Sequence, residues 1–590
     1  MDYEEVLFGL KPVLNAQSAA ELPLEQASLE RYCAVLEQLA VHLRAPANRD
    51  LVRESGLLRQ LLRVQELVFE AALQGGSSSA TLLRLGSELV RCAANAMVDN
   101  DDNRREFLGR AGAEGHPLLD HYVPKVFRLG GHHEPVGVLK MRTIAMVQNF
   151  CLDSREYKQR CARTVPSPLV ACLRELGDAY MEEEVALTLK LGLELLEDLA
   201  DDYAPTANLD ELEFLSSLLY RMAVACESAD PDAPEESDAP EDVYVDALQC
   251  LSGIVEAIAD KNDSLDLSDR ERSREVQRVL FDVLDALHGK EFPNKLIVMR
   301  RVTSCIGYVS ANESCPNCHM RTLCYEVLER SQDGYALCGA LFVLSNSISK
   351  RSDVDEVLAH VPLQRQVQVA HGFTDPVQFQ SSLDLFRKCL NLVTALTFGA
   401  DHQEALFSVL RTCHDQARYY TSLAPLVDSF LNKLLAVFPG ATLAAHRSLL
   451  DVVAERGGIS ACLLLEKVSK VPGVPPETFT RLLDAIFKFH DSANDGVSLQ
   501  HLFHITRALG VHLHDTGARS GLLLLSHYSD KLTLLLTSVL SLRDKEDPAT
   551  TSVLNNAKFM AGMIWNTSQN NPDLQGQEMA DLLQAAKTLL

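Results

Sequence analysis

Two stretches of this sequence decide the fold: Arg49–Gly56, which reads RDLVRESG, and Arg105–Gly112, which reads REFLGRAG. Each consists of an arginine, an acid, two apolar residues, two variable residues, a small residue and a glycine. A weaker third copy begins at Arg155 with the residues Arg-Glu-Tyr. The copies start 56 and then 50 residues apart. Repetition at such a period is typical of stacked repeats rather than of one compact globule.

A second pattern lies just upstream of the copies, where an asparagine precedes an aspartate by four residues. The pairs are Asn95 with Asp99 and Asn149 with Asp153, and Asn346 resembles a distant copy of the asparagine. Residues four apart share one face of a helix, so we expect each pair to point together from a helix end. Two interpretations stay open. The asparagines bond backbone groups within the stack, as buried amides usually must, or they line a binding groove.

A long helix that ends near an asparagine, followed by a helix that opens with Arg or Glu, resembles the armadillo repeat. Hydrophobic residues make up 47% of the 590 residues and aromatic residues only 6%, a composition that favours stacked helices over sheets. A repeat stack also avoids the size limit of a single core, about 250–300 residues. We therefore predict an all-α, armadillo- or HEAT-like solenoid with a right-handed superhelix.

Negative charge is concentrated in one part of the chain. The formal net charge is −26, and residues 181–260 contain 22 acidic residues but only two basic ones. Part of this region, SADPDAPEESDAPED, has no large apolar residue, which predicts a disordered acidic loop at 227–242. We predict armadillo repeats in 1–226 and armadillo-like repeats, continuous with them, in 243–590. Such a charge favours basic partners and disfavours nucleic acid.

Further acids lie in the helix pattern before that loop. The residues near the end of the pattern are Glu194, Glu197, Asp198, Asp201 and Asp202. Acids near a helix C-terminus are disfavoured by the helix dipole, so a role other than helix stability is predicted for them. Together with the asparagine and aspartate positions above, they are the candidate partner-binding residues.

Sequence motifs of catalysis are absent. The chain has no phosphate-binding P-loop, no dinucleotide fingerprint, no His-Glu-x-x-His and no Gly-x-Ser-x-Gly, so we expect neither catalytic residues nor a cofactor. Cys315 and Cys318 have the spacing of a zinc or haem site, but a second C-x-x-C pair is missing, which favours free thiols.

No signal peptide and no apolar run long enough to span a bilayer is visible in the sequence. We therefore expect a cytoplasmic protein with reduced cysteines, and a second location in the nucleus stays open.

Residues Asn95–Gly112, which read NAMVDNDDNRREFLGRAG, resemble repeats of the small-GTPase GDP-dissociation stimulators, the SmgGDS family. Residues Met1–Asn15 and Leu39–Leu58 resemble the fungal bud emergence members of that group. The resemblance is clearest in the N-terminal part of the chain.

The resemblance implies an armadillo protein that binds Rho-family GTPases with basic, prenylated tails. It further implies a regulator, chaperone or scaffold in cell polarity, with weak nucleotide exchange in some members. An exchange factor or a kinase-pathway protein is a further expected partner. The alternative is a carrier or adaptor for basic peptides of the importin or catenin type. The single tryptophan, Trp565, argues against an importin-like groove, which needs regularly spaced tryptophans.

Overall fold

The computed structural model describes residues 3–590 except 24, 75–79, 110–115, 133, 178, 180–181, 228–240, 316, 394–397, 493–497, 546, 572–573 and 575. The described residues form thirty α-helices and no β-strand, which confirms the all-α prediction. They divide into two compact units, Met1–Thr322 and Leu323–Leu590. The predicted acidic loop lies almost wholly outside the described residues, so the division at 227–242 stays a prediction.

The first unit consists of helices that pack in two rows. The helices are α1 (Tyr3–Leu14), α2 (Gln26–His42), α3 (Pro46–Glu54), α4 (Leu57–Gln74), α5 (Ala80–Met97), α6 (Asp101–Leu108), α7 (Val123–Phe127), which follows a π-helical turn (Pro117–Tyr122), α8 (Val136–Cys151), α9 (Arg155–Cys161), α10 (Pro166–Glu175), α11 (Glu183–Tyr203), α12 (Leu209–Ala225), α13 (Glu241–Lys261), α14 (Arg270–Leu287) and α15 (Lys295–Ala311). Helices α2, α5, α8, α11, α13 and α15 pack side by side in this order, and we call them the first row. Helices α4, α7, α10, α12 and α14, with the π-helical turn, form the second row.

The second unit repeats this arrangement. Its helices are α16 (Arg321–Arg330), which begins at the boundary, α17 (Gly334–Ser347), α18 (Arg351–His360), α19 (Leu363–His371), α20 (Pro376–Leu392), α21 (Ala400–Gln416), α22 (Ala424–Val437), α23 (Gly440–Ala445), α24 (Arg447–Arg456), α25 (Gly458–Val468), α26 (Pro476–Ser492), α27 (Leu499–Asp515), α28 (Gly517–Leu540), α29 (Pro548–Gln569) and α30 (Gln577–Leu589). One row is α17, α20, α22, α25, α27 and α29, and the other is α19, α21, α24, α26, α28 and α30.

In both units the apolar core lies between the two rows, because each helix turns its buried leucines, valines and phenylalanines toward its neighbours. Within the described residues, no helix combines the length and the apolar character needed to cross a bilayer.

Arginines bind successive repeats together where helices of the first row end. The Nη1 of Arg49 donates to the carbonyl oxygen of Val98 (2.8 Å), just beyond the end of α5. One repeat later, Arg104 donates to the carbonyl oxygens of Leu152 (2.9 Å) and Met97 (3.2 Å). Carbonyls at helix ends have no intrahelical partner, and each arginine supplies a side-chain donor to such a carbonyl of the adjacent repeat.

The structure corrects the register of the predicted repeat by one residue. The sequence pattern paired Arg49 with Arg105, but the Arg105 side chain is exposed and bonds locally to Asp102 (2.8 Å). Its neighbour Arg104, which is buried, makes the contact equivalent to that of Arg49. The third copy of the pattern also differs in the structure, because its arginine, Arg155, is exposed rather than buried. Two adjacent arginines fit the pattern equally, and only packing distinguishes them.

These contacts predict opposite outcomes for two adjacent substitutions. Arg104→Met leaves the Leu152 carbonyl oxygen without its side-chain donor, whereas the Met97 carbonyl oxygen still accepts from the Asn100 N–H (3.3 Å). It should lower the free energy of unfolding by about 1–3 kcal/mol. Arg105→Met removes only an exposed pair and should change it by less than about 0.5 kcal/mol. Urea unfolding followed by circular dichroism measures both. Equal losses in the two variants would contradict the corrected register.

Two buried histidines in the second unit are held in the neutral state. His512 is fully buried, and its Nδ1 forms a hydrogen bond with Ser469 Oγ (2.9 Å). His501 packs against the ring of Phe489 and is 3% exposed. Burial lowers the pKa of both imidazoles to about 4. Both histidines thus lie in the core of the second unit.

The histidines make the second unit sensitive to acid. An unfolded histidine has a pKa of about 6.5, so between that pH and about 4 the unfolded chain binds more protons than the folded chain. Stability should therefore fall as the pH drops through this window, by up to about 3 kcal/mol for each group. His512→Asn should reduce the difference in urea midpoint between pH values of about 7 and about 4.5. His527→Asn, which changes an exposed side chain bonded only to Ser526 and the Leu523 carbonyl oxygen among the described residues, is the control and should leave that difference unchanged.

Candidate functional site

The side-chain amides of two predicted asparagines, Asn95 and Asn149, bind backbone groups. Asn95 Nδ2 donates to the carbonyl oxygen of Ala40 (2.7 Å), and Asn149 Nδ2 donates to that of Ala94 (3.1 Å). Each acceptor lies in the preceding helix of the first row. These amide nitrogens are therefore used within the stack, and a role for the same residues in binding a partner stays a prediction.

The aspartates of the same pattern form the corners after the helices. Asp99 and Asp153 have φ values of 46° and 56°, in the left-handed region that aspartate and asparagine adopt more readily than most residues. The next residues, Asn100 and Ser154, accept a backbone N–H of the following helix and cap its N-terminus. Corner geometry thus explains the aspartates. Among the described residues, no hydrogen bond or ion pair links either one to a residue of α11.

Two of the predicted acids on α11 have a basic partner on a neighbouring helix. Asp198 accepts a hydrogen bond from Lys158 of α9 (2.8 Å), and Asp201 accepts one from Lys261 at the end of α13. Both acids thus form ion pairs with other helices, and their role in binding a partner stays a prediction. Lysines from adjacent helices offset the unfavourable dipole at the end of α11.

The remaining predicted residues differ in their surroundings. Glu194 Oε2 lies 3.5 Å from Gln148 Nε2 of α8, at the limit of a hydrogen bond. Asp202 is half-buried, and within the described residues no ion pair holds it. Asn346 lies in α17 and so belongs to the second unit, whereas the other candidates lie in the first.

Glu197 takes part in a bridge that crosses a whole helix. Arg301 of α15 reaches over α13, where its Nη1 lies 3.5 Å from Glu197 Oε1 of α11. The same Nη1 donates to the carbonyl oxygen of Gln249 (2.9 Å), and the Nε lies 3.9 Å from Glu256 Oε2. Gly253 lies beneath the bridge: a Cβ there would be 2.9 Å from Arg301 Nη1 and 3.0 Å from Glu197 Oε1. A side chain at this position would obstruct the bridge.

Carboxylates of α11 and α13 surround the bridge, and we call this set the acidic face. It consists of Glu194, Glu197, Asp201, Asp246, Glu256 and Asp260. Three cations lie among them: Arg301, Lys261 and Lys190, whose Nζ lies 2.6 Å from Asp246 Oδ2. Burial raises the pKa of the Glu256 carboxyl, so part of the face is removed from water. Sequence reasoning missed the acids of α13, although their spacing from 246 to 260 is that of one helix face.

A cleft of about 670 Å³ opens beside the acidic face, between the ends of α13 and α15. Four carboxylates line it, those of Asp260, Asp263, Asp266 and Glu313, together with the ring of Tyr308. Within the described residues, its lining includes no lysine and no arginine. We call it the acidic cleft. Its chemistry suits an ammonium or guanidinium group, which could bond several carboxylate oxygens while its stem packs against the ring.

The structure describes the surroundings of Cys315, one of the two cysteines in the C-x-x-C pair. Cys315 is half-buried, its sulphur accepts a hydrogen bond from Gln277 Nε2 (3.2 Å), and burial raises its pKa to about 11. Among the described residues, no three metal-binding side chains are placed to hold an ion. The Cys318 side chain lies outside the described residues, so the zinc alternative stays open there.

Comparisons with known proteins cover almost the whole chain. Residues 1–259 match the family model of the BEM4 N-terminal domain, and residues 278–589 match that of the BEM4 C-terminal domain. GTPase-GDP dissociation stimulator BEM4 of Saccharomyces cerevisiae is 33% identical, over 98% of this chain and 98% of its own.

Solved structures show the same fold at low sequence identity. SYS-1 is 12% identical with a TM-score of 0.52, and the SYS-1/POP-1 complex matches at 11% with a TM-score of 0.53. Both matches cover 100% of this chain and 99% of the other. At these identities the likeness concerns the fold alone. It confirms the armadillo class, because SYS-1 is an armadillo-repeat protein.

Proposed function

This chain belongs to the BEM4 family, and on that premise we propose that it binds a small GTPase and promotes the release of its GDP. The support is the Saccharomyces cerevisiae relative, which is named a GTPase-GDP dissociation stimulator and aligns over 98% of both chains. In this role the chain is a regulator rather than a catalyst, because nucleotide release breaks no covalent bond.

Release would follow from a difference in affinity between two states of the GTPase. A binding protein shifts an equilibrium only by the difference between its affinities for the two conformations. The chain would therefore bind the nucleotide-free GTPase more tightly than the GDP-bound form. By linkage, GDP would in turn weaken the complex by the same factor.

The acidic face and the acidic cleft support a partner with a basic segment. Two opposite charges about 4 Å apart attract by about 1 kcal/mol in bulk water and by about 4 kcal/mol near a protein surface. Ordering one lysine or arginine side chain costs about 2 kcal/mol. A cleft with four carboxylates and no cation in its described lining can therefore hold a basic side chain with a net gain.

A finer identification of the partner rests on the N-terminal repeats. Their resemblance to the fungal bud emergence group supports a Rho-family GTPase with a basic, prenylated tail. The same resemblance supports a role as regulator, chaperone or scaffold in polarity signalling in the cytoplasm. The acids at the ends of α11 and α13 are the residues we assign to the tail.

The decisive measurement is release of labelled GDP from a panel of purified Rho-family GTPases. The full chain should accelerate release from at least one of them over a buffer control. Binding to that GTPase should weaken about tenfold when salt rises from about 50 to about 300 mM, or when the basic tail is deleted. Unchanged release across the panel, with binding of isolated basic peptides, would instead support the carrier alternative.

Neutralising the cleft should weaken that binding. The double variant Asp260→Asn/Asp263→Asn should raise the Kd about 5–20-fold at low salt and less at high salt, because screening weakens the lost attraction. The matched control is Glu326→Gln/Glu329→Gln, which removes the same charge from exposed positions on α16. Fluorescence anisotropy with the labelled GTPase measures both. Equal losses would show that net charge, not the cleft, sets affinity.

A further inference from the structure

We propose that Arg301 is a built-in competitor for the basic partner, and that Gly253 sets how far this arginine occupies the acidic face. The inference rests on the proposed function, because it concerns the same carboxylates. It goes further by naming a residue pair that limits affinity.

The contacts of Arg301 are those that a partner's basic side chain would make. Its guanidinium meets two carboxylates, Glu197 and Glu256, and one backbone carbonyl oxygen, that of Gln249. The three acceptors come from two successive helices of the first row, and the arginine itself comes from the third. An arginine of this chain thus already fills the middle of the acidic face.

The distances show that Arg301 is held weakly by the carboxylates. Charge-assisted hydrogen bonds between nitrogen and carboxylate oxygen are usually about 2.7–2.9 Å long. The arginine lies 3.5 Å from Glu197 and 3.9 Å from Glu256, whereas Lys190 lies 2.6 Å from Asp246 on the same face. Its side chain is also 31% exposed. A partner that brings its own cation can therefore displace it at small cost.

Gly253 keeps the path of this arginine open. Glycine within a helix is unfavourable relative to alanine, so its presence in α13 needs a reason. The calculated Cβ position, within 3.0 Å of both Arg301 Nη1 and Glu197 Oε1, supplies that reason. Both contacts are with the ends of flexible side chains. Alanine would therefore move the guanidinium and the carboxylate apart and leave the backbone in place.

Gly253→Ala provides a test that changes no charge. In the full chain it should lower the Kd about 3–10-fold at about 50 mM salt, because Glu197 becomes available to the partner. The probe is the Rho-family GTPase bound best by the unmodified chain, together with a peptide of its basic tail. The control Gly562→Ala adds a methyl group to a helix without a bridge and should leave the Kd unchanged. Thermal unfolding should show that both variants stay folded.

Arg301→Gln tests the same idea by removing the competitor. It should also tighten binding, and more than Lys190→Gln, which removes one positive charge from a neighbouring pair on the same face. Equal gains in these two variants, or an unchanged or weaker affinity for Gly253→Ala, would overturn the inference. If the unmodified chain binds the probes and these variants behave like it, only this inference fails. If the unmodified chain binds neither probe, the proposed function fails as well.

Discussion

Bonds from polar side chains of one repeat to backbone carbonyls of its neighbour hold this structure in register. A helix end exposes carbonyls that lack an intrahelical donor, and a stack buries many such ends. Asn95, Asn149, Arg49 and Arg104 each donate to a carbonyl about one repeat away. The apolar core supplies most of the stability, but it could tolerate small slips between helices. The directional bonds restrict each pair of repeats to one alignment.

The same bonds explain how much the sequence could reveal. The repeat was visible because each bond needs a particular side chain at a particular place, which left Arg-acid and Asn-x-x-x-Asp patterns in the chain. Bonds from the asparagines to backbone groups were one open interpretation, but the particular carbonyls were not visible. The spacing of Asp99 from Asn95 did not reveal that Asp99 forms a left-handed corner, and its role in binding a partner stays a prediction. The choice between Arg104 and Arg105 depended on burial, which a local pattern does not encode.

The sequence predicted the site residues of α11 but not those that α13 and α15 contribute. The acids of α11 were found from composition, since they lie in a region with almost no basic residues. Arg301 was missed because it is 104 residues away from Glu197 and meets it only when three helices stack. Cations from distant repeats also lie against the acids of α11. Lys158, Lys261 and Arg301 add to Lys190 of α11 itself in offsetting the repulsion among these acids.

The two-row packing of each unit has a consequence for the way it comes apart. In the part of the chain that the structure describes, every repeat touches mainly the repeat before it and the repeat after it, and no central nucleus joins all the helices. Mechanical tension or a protease cut would therefore separate a block of whole repeats at the weakest seam, while the blocks on either side keep their own cores. Each unit should therefore unfold in steps rather than in one transition, and the weakest interface between neighbouring repeats decides where unfolding begins.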